Sequence, residues 1–275
     1  MKRIAVPIVA LLVLAACATS PTGRRQLMLV SPDEAISASK SAYIQQMQDF
    51  DKKGQISTDP ELISRVNTIT GRLVAQAIKA RPDTKDWEWS VEVIDDPDTV
   101  NAWCMAGGRM AIYTGLIEKT KATDDEIAQV MGHEIAHALA NHTAERMSVA
   151  MVSQMGVVAA GVATRDAGVM VGAAAAAQLA VSLPNSRASE TEADRIGIEL
   201  AARAGYDPRA AATLWEKMAK VGGEGPPQFL STHPAPGNRQ QTLGALAPSM
   251  MKYYEAPGER PMYVMQPGNY SGKSG

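Results

Sequence analysis

A chain of 275 residues with a formal charge of −2 and 45% apolar residues is long enough to bury one substantial core, and it lacks the basic excess of a nucleic-acid-binding protein. No basic run interleaved with aromatic residues occurs, so no nucleic acid is expected as a partner. Two cysteines, Cys17 and Cys104, exclude a disulfide-stapled scaffold and leave stability to the core.

In chain order, Lys2-Arg3 and the apolar run from Ile4 to Leu14 form a signal peptide, residues 1–16, too short in its apolar part to span a bilayer. Leu14-Ala15-Ala16-Cys17 resembles the bacterial lipoprotein box, which implies cleavage before Cys17 and lipidation of its thiol, hence a membrane anchor. The resemblance also favours the periplasmic side of the outer membrane, because Ala18 rather than an aspartate follows the cysteine. Residues 17–30 then read as a tether, 31–250 as a single domain and 251–275 as an irregular, poorly ordered tail rich in Gly, Pro and Ser. Ser31-Pro32-Asp33-Glu34 opens one helix, and Asp59-Pro60-Glu61 opens another that runs to Arg81-Pro82. Trp87 to Ile94 alternates as a strand; Asn101 to Met105 and Arg109 to Tyr113 are two more, joined through Gly107-Gly108. Thr123-Asp124-Asp125-Glu126 is a capping box for a helix expected to run to about Val149. Residues 150–183 read as a pair of small-residue helices near the active site rather than a membrane span, since Ala and Gly carry little transfer energy and Arg165-Asp166 interrupt the run. A helix from Asp207-Pro208 to about Val221, a Gly/Pro break at 222–227 and a short helix from Arg239 to Leu246 complete the order.

Within the Thr123 helix lies His133-Glu134-Ile135-Ala136-His137. Positions i and i+4 share one helical face, so two imidazoles can hold one zinc ion, with Glu134 beside them as general base. A catalytic zinc keeps three protein ligands. A histidine ten positions after the first is excluded as the third, because Thr143 stands there and Ala140 replaces the glycine that turn needs. His142 lies about 140° round the helix from His137 and reads as a packing or hydrogen-bonding residue. The segment Arg187 to Gly197 offers carboxylates instead. Glu190 and Asp194 share a face, one to bind metal and the other to orient a ligating imidazole. Glu192 points about 200° away from Glu190, so only one of the two can face the metal.

Together with Asn101-Ala102-Trp103, Gly107-Gly108, Thr114-Gly115-Leu116, Glu190-x-x-x-Asp194, His233-Pro234 and Arg239, the motif resembles the gluzincin zinc metallopeptidases. That family holds HtpX, the CAAX prenyl-protein endopeptidases, the OMA-type proteases and BepA and LoiP, and the bacterial periplasmic lipoprotein members are the most similar. The resemblance implies an α+β, mostly helical zincin-like domain with a small antiparallel sheet. Its edge strand, Asn101, Ala102, Trp103, Cys104 and Met105, would bind an extended substrate; Cys104-Met105-Ala106 departs from the Ala-Leu-Pro of relatives. The resemblance makes Glu190 the third ligand of one Zn2+, with Asp194 and Arg239 in support. His233 is left as an oxyanion donor, a fourth zinc ligand that holds the site inactive, or a loop residue. The activity implied is a metalloendopeptidase acting on unfolded or misassembled envelope polypeptides. The alternative is a periplasmic chaperone or assembly factor with a latent site.

Overall fold

The computed structural model describes residues 17–164, 186–221, 228–233 and 238–270. The expected signal peptide, the bulk of the Ala/Gly-rich stretch and the Gly/Pro loop at 222–227 lie outside the described residues. Helices begin where a side-chain oxygen meets the free amides of a first turn. Ser31 and Glu34 form a reciprocal capping box on α1 (Pro32–Lys52), and Asp59 accepts from the amides of Glu61 and Leu62 at the start of α2 (Pro60–Ala80). A short α3 (Thr114–Thr120), which no sequence pattern announced, leads into α4 (Asp124–Leu139), boxed by Thr123 and Glu126. Every residue of α4 from Glu126 to Leu139 is buried, so this helix is the axis of the domain rather than a surface helix with one apolar stripe.

The helix expected to continue to Val149 stops at Ala140. Asn141 adopts φ 55°, a left-handed conformation that asparagine tolerates better than most residues, and α5 (His142–Thr164) leaves in a new direction. Arg81 caps the break, donating from Nη1 to the Leu139 carbonyl at 2.6 Å and to Asn141 Oδ1 at 3.2 Å.

Beside α4 lies a three-stranded sheet of β3 (Ser90–Ile94), β4 (Ala102–Cys104) and β5 (Arg109–Tyr113), in the order β3-β5-β4. It is mixed, not the purely antiparallel sheet that was expected: β5 runs antiparallel to β4 but parallel to β3. The reason is burial. All five residues of β5 are buried, so it takes the centre, and the later strand inserts between the two earlier ones. The β4–β5 hairpin turns through Gly107 and Gly108, both near φ +87°, and a Cβ on Gly108 would stand 2.6 Å from the Trp89 ring. β4 is the edge strand, as expected.

The second motif helix, α6 (Arg187–Arg203), lies against α4 at backbone contact. A Cβ on Gly197 would fall 2.7 Å from the His133 amide nitrogen, so the residue between the two helices has to be glycine. Helices α7 (Ala210–Lys220), α8 (Gln228–Thr232) and α9 (Arg239–Tyr254) close the far side. The last runs eight residues beyond the expected Leu246, through Pro248; buried Ala247 and Met250 hold it there despite the lost amide donor.

Two terminal segments differ from expectation. Residues 17–30 are not a free tether: β1 (Cys17–Thr19) and β2 (Arg25–Leu27) pair into a hairpin docked on α5 and α6. The tail from Glu255 to Tyr270 is irregular, yet it is laid down in one course. The amides of Tyr263 and Gln266 donate to the carbonyls of Gly71 and Trp89 at 2.9 and 3.0 Å, and Tyr270 packs edge-on to Tyr43. Neither attachment has a local signal, because each partner lies at least 70 residues away in sequence. Among the described residues no helix is long and apolar enough to cross a membrane.

Candidate metal centre

The turn spacing of α4 sets His133 and His137 side by side, with Nε2 atoms 3.0 Å apart. From α6, Glu190 brings Oε2 to 3.3 Å from His133 Nε2 and Oε1 to 3.4 Å from His137 Nε2. His233, just after α8, brings Nδ1 to 3.3 Å from His133 Nε2 and 3.1 Å from Glu190 Oε1. All four side chains are buried.

The outer ring nitrogens explain what this cluster is for. His133 Nδ1 lies 3.0 Å from Asp194 Oδ1 and 2.9 Å from Arg239 Nη2, and His137 Nδ1 lies 2.8 Å from His142 Nδ1; a proton on each Nδ1 leaves each Nε2 free to face a metal. With the protons there, the two Nε2 atoms present lone pairs beside a carboxylate, an arrangement that asks for a cation. Burial, then the neighbouring charge of His133, holds His137 well below its ordinary range and keeps it in the neutral form a metal requires. Burial opposes ionisation of Glu190, but hydrogen bonds from His133 and His233 outweigh it and hold the carboxyl well below the usual carboxylate range. Separations of 3.0–3.4 Å match the edge of about 3.3 Å expected for a tetrahedron of ligands about 2.0–2.1 Å from zinc. Three nitrogens and one carboxylate are a zinc donor set, and the site fits that ion.

Arg239 locks the carboxylates from behind. Its Nε donates to Asp194 Oδ1 at 3.0 Å and its Nη1 to Glu190 Oε2 at 3.1 Å, while its guanidinium lies 3.6 Å over the Trp215 ring. Phe229 stacks on His233 with centroids 4.5 Å apart. Of the two rival glutamates, Glu192 is turned away from the cluster and bonds His142 and Arg24 instead.

Glu134 is not part of the ligand set. Its Oε1 is buried, has no hydrogen-bond partner and sits 3.5 Å from His233 Nε2. Burial pushes this carboxyl up to about 7, with Glu190 adding to the shift and His233, Arg239 and the Cys104 backbone opposing it. It faces a cleft of about 440 Å³ whose floor holds His137 and His233 and whose rim is β4, from Asn101 to Met105. The opposite wall is α1, through Ser39, Ala42 and Gln46, with Arg146 from α5 at one end.

The residues expected to form the site are thus brought together: His133, His137, Glu190 and His233 in the cluster, Asp194 and Arg239 behind it, Asn101 to Met105 along the cleft. Cys104 is a buried free thiol whose pKa is raised by burial and then by Glu134. Sequence reasoning missed the wall from α1 and the place of Arg146. The small residues Ala38 and Ala42, one turn apart, were the only local sign that something approaches that helix. His142 is the hydrogen-bonding residue expected, outside the metal cluster, although the angle counted for it along an unbroken helix fails once Asn141 turns the chain.

Residues 60–247 match the model of peptidase family M48. The chain is 32% identical over 252 residues to Metalloprotease LoiP of Escherichia coli (strain K12), covering 85% of this chain and 94% of that protein. It is 31% identical over 247 residues to Metalloendopeptidase OMA1, mitochondrial, of Bos taurus, covering 85% and 46%. To the Beta-barrel assembly-enhancing protease of Yersinia pestis it is 30% identical over 208 residues, covering 72% and 40%. The chain therefore spans less than half the length of the bovine and Yersinia proteins. With the motif helices, the converging ligands and a family match along most of its length in agreement, the chain belongs to peptidase family M48.

Proposed function

We propose that this chain is a zinc metalloendopeptidase held by a lipid on Cys17 at the periplasmic side of the outer membrane, where it hydrolyses unfolded or misassembled envelope polypeptides. One observation carries the catalytic part. A buried, unpartnered carboxylate oxygen of Glu134 faces a cleft floored by His137 and His233, two of the four side chains of the cluster that suits zinc. Zinc bound there supplies Lewis acidity, lowering the pKa of a water from 15.7 to about 7. Glu134 takes one proton as the peptide carbonyl is attacked and returns it to the departing amine, so the carboxylate is regenerated. The free edge of β4 holds the substrate main chain in register, and backbone pairing of that kind accepts many sequences. The test is casein cleavage by the full chain. It is expected to vanish on chelation and return with one equivalent of zinc; cleavage that persists in fully metal-free protein would contradict the reading.

The anchor is supported by Lys2-Arg3 and the apolar run before Leu14-Ala15-Ala16-Cys17. Similarity to the β-barrel assembly-enhancing protease of Yersinia pestis supports a role connected with β-barrel assembly. Cys17→Ser is expected to move the protein from the membrane to the soluble fraction on cell fractionation; unchanged partition would remove the lipid from the proposal.

His233 favours a second state of the same site. Its Nδ1 completes the four-atom cluster while its Nε2 lies against Glu134, so the general base and the fourth position are occupied together. A site closed in this way is latent, and a latent protease can serve as an assembly factor. His233→Ala is expected to raise casein cleavage severalfold at unchanged zinc content. A fall in kcat at unchanged zinc would make His233 a donor to the oxyanion instead.

A further inference from the structure

His142 is buried beside the metal cluster without belonging to it. Its Nδ1 stands 2.8 Å from His137 Nδ1, and its Nε2 stands 3.1 Å from Glu192 Oε2. One proton arrangement satisfies the whole chain. When His137 Nε2 is turned to a metal, its Nδ1–H donates to His142 Nδ1, and His142 Nε2–H donates to Glu192.

Glu192 is itself held from the N-terminal hairpin. Arg24 Nε donates to its Oε2 at 2.8 Å, and Thr22 Oγ1 donates to its Oε1 at 2.5 Å. The two remaining nitrogens of the Arg24 guanidinium reach Glu145 on α5 at 2.6 Å each, a bidentate pair that fixes the direction of Nε. Gln26 donates to the Ala140 carbonyl at 2.8 Å, at the point where the ligand-bearing helix ends. The two zinc-site imidazoles are therefore supported differently. His133 reaches a carboxylate, Asp194, directly; His137 reaches one only through a second imidazole, and that carboxylate depends on residues 22–24.

We infer that His142, Glu192 and Arg24 are positioning residues that fix the ring orientation and tautomer of His137, so that the hairpin following Cys17 is part of the support of the metal site. The inference rests on the zinc-peptidase reading above. Among the described residues the Glu192 carboxylate is bonded by His142 and by the hairpin residues Ser20, Thr22 and Arg24, and its side chain is 3% exposed. A hairpin needed only for packing would have no reason to place a guanidinium against this carboxylate. Its own strands are three residues long and pair with each other.

The experiment measures zinc dissociation constants by chelator competition, and visible spectra of the cobalt(II)-loaded full chain, for Glu192→Gln and Arg24→Met. Glu199→Gln serves as the control; it breaks a half-exposed pair with Arg203 on the same helix. Glu192→Gln is expected to weaken zinc by about 10–100-fold, the usual range for loss of such a support, and to alter the cobalt spectrum. Arg24→Met should do so less strongly and Glu199→Gln not at all. Wild-type affinity and an unchanged cobalt spectrum in folded Glu192→Gln overturn the inference. Should that variant fail to fold, Arg24→Met and Thr22→Val decide, and wild-type zinc affinity in both overturns it equally. A wild-type chain that takes up no zinc overturns the reading of the site, and this inference with it; a wild type that binds zinc beside variants that bind it as well overturns the inference alone.

Discussion

Glu134→Gln is expected to retain one zinc per chain while casein cleavage falls by about 10²–10⁴-fold, the range for loss of a positioned proton carrier. The atoms that could hold the metal belong to His133, His137, Glu190 and His233, so the amide removes none of them. Glutamine keeps the shape of the side chain but cannot take a proton from water. Stability should not suffer, because the wild-type carboxyl is buried and one of its oxygens is unpartnered. The sign follows from the shift. In the metal-free protein the folded-state pKa is raised from 4.5 to about 7, so the folded state binds the proton more tightly than the unfolded one. That contribution is fully present below about pH 4.5 and lost as the pH rises through 7. Metal-free wild type should therefore lose stability across that window relative to metal-free Glu134→Gln, as read by thermal unfolding at several pH values. Retained cleavage by zinc-loaded Glu134→Gln would end its assignment as the general base. Full complementation of a deletion strain by the same inactive protein would favour the assembly-factor reading.

His133→Ala carries the second large effect. It removes a ligand nitrogen and leaves Asp194 without the imidazole it orients, so zinc measured by elemental analysis should drop well below one per chain and proteolysis should reach background. Thermal stability should change in a way that identifies the cause. Bound zinc at about 1,000 times its dissociation constant stabilises a fold by about 4 kcal/mol, and that increment should disappear from the variant. Adding zinc should raise the Tm of the wild type and leave His133→Ala unmoved. Stoichiometric zinc in the variant would mean that the metal sits elsewhere.

What could be read from the chain without coordinates was local. The capping boxes at Ser31–Glu34 and Thr123–Glu126 start α1 and α4 where expected, because a cap is made by residues three apart. The spacing of His133 and His137 sets two imidazoles on one face because a helix has a fixed pitch. The same argument placed Glu190 and Asp194 together on α6 and turned Glu192 away from them. Even so, the direction in which Glu190 and Glu192 each face came from geometry, and the choice between them came from a family pattern.

Contacts between distant segments were not legible. Asn141 is of a residue type that can end a helix, but it does not fix the break alone; Arg81, 60 positions earlier, makes the cap that holds it. That break swings His142 back onto His137 and defeats an angle counted along a continuous helix. The mixed sheet was likewise invisible, since strand order depends on which strand the whole core buries, and β5 is the one buried at every position.

From residue identity and periodicity alone, then, come the helix starts, the paired imidazoles and the acidic face opposite them; that the strand at Asn101 to Met105 is an edge came from the family resemblance. Tertiary structure decided that Gly197 lets α6 approach α4 closely enough for Glu190 to reach both histidines, and that the Cys17 hairpin and the C-terminal tail are docked rather than free. The physical reason is range. Caps, pitch and alternation are set by neighbours a few residues apart, whereas docking depends on hydrogen-bond partners more than 160 residues away, brought near only when the core has formed.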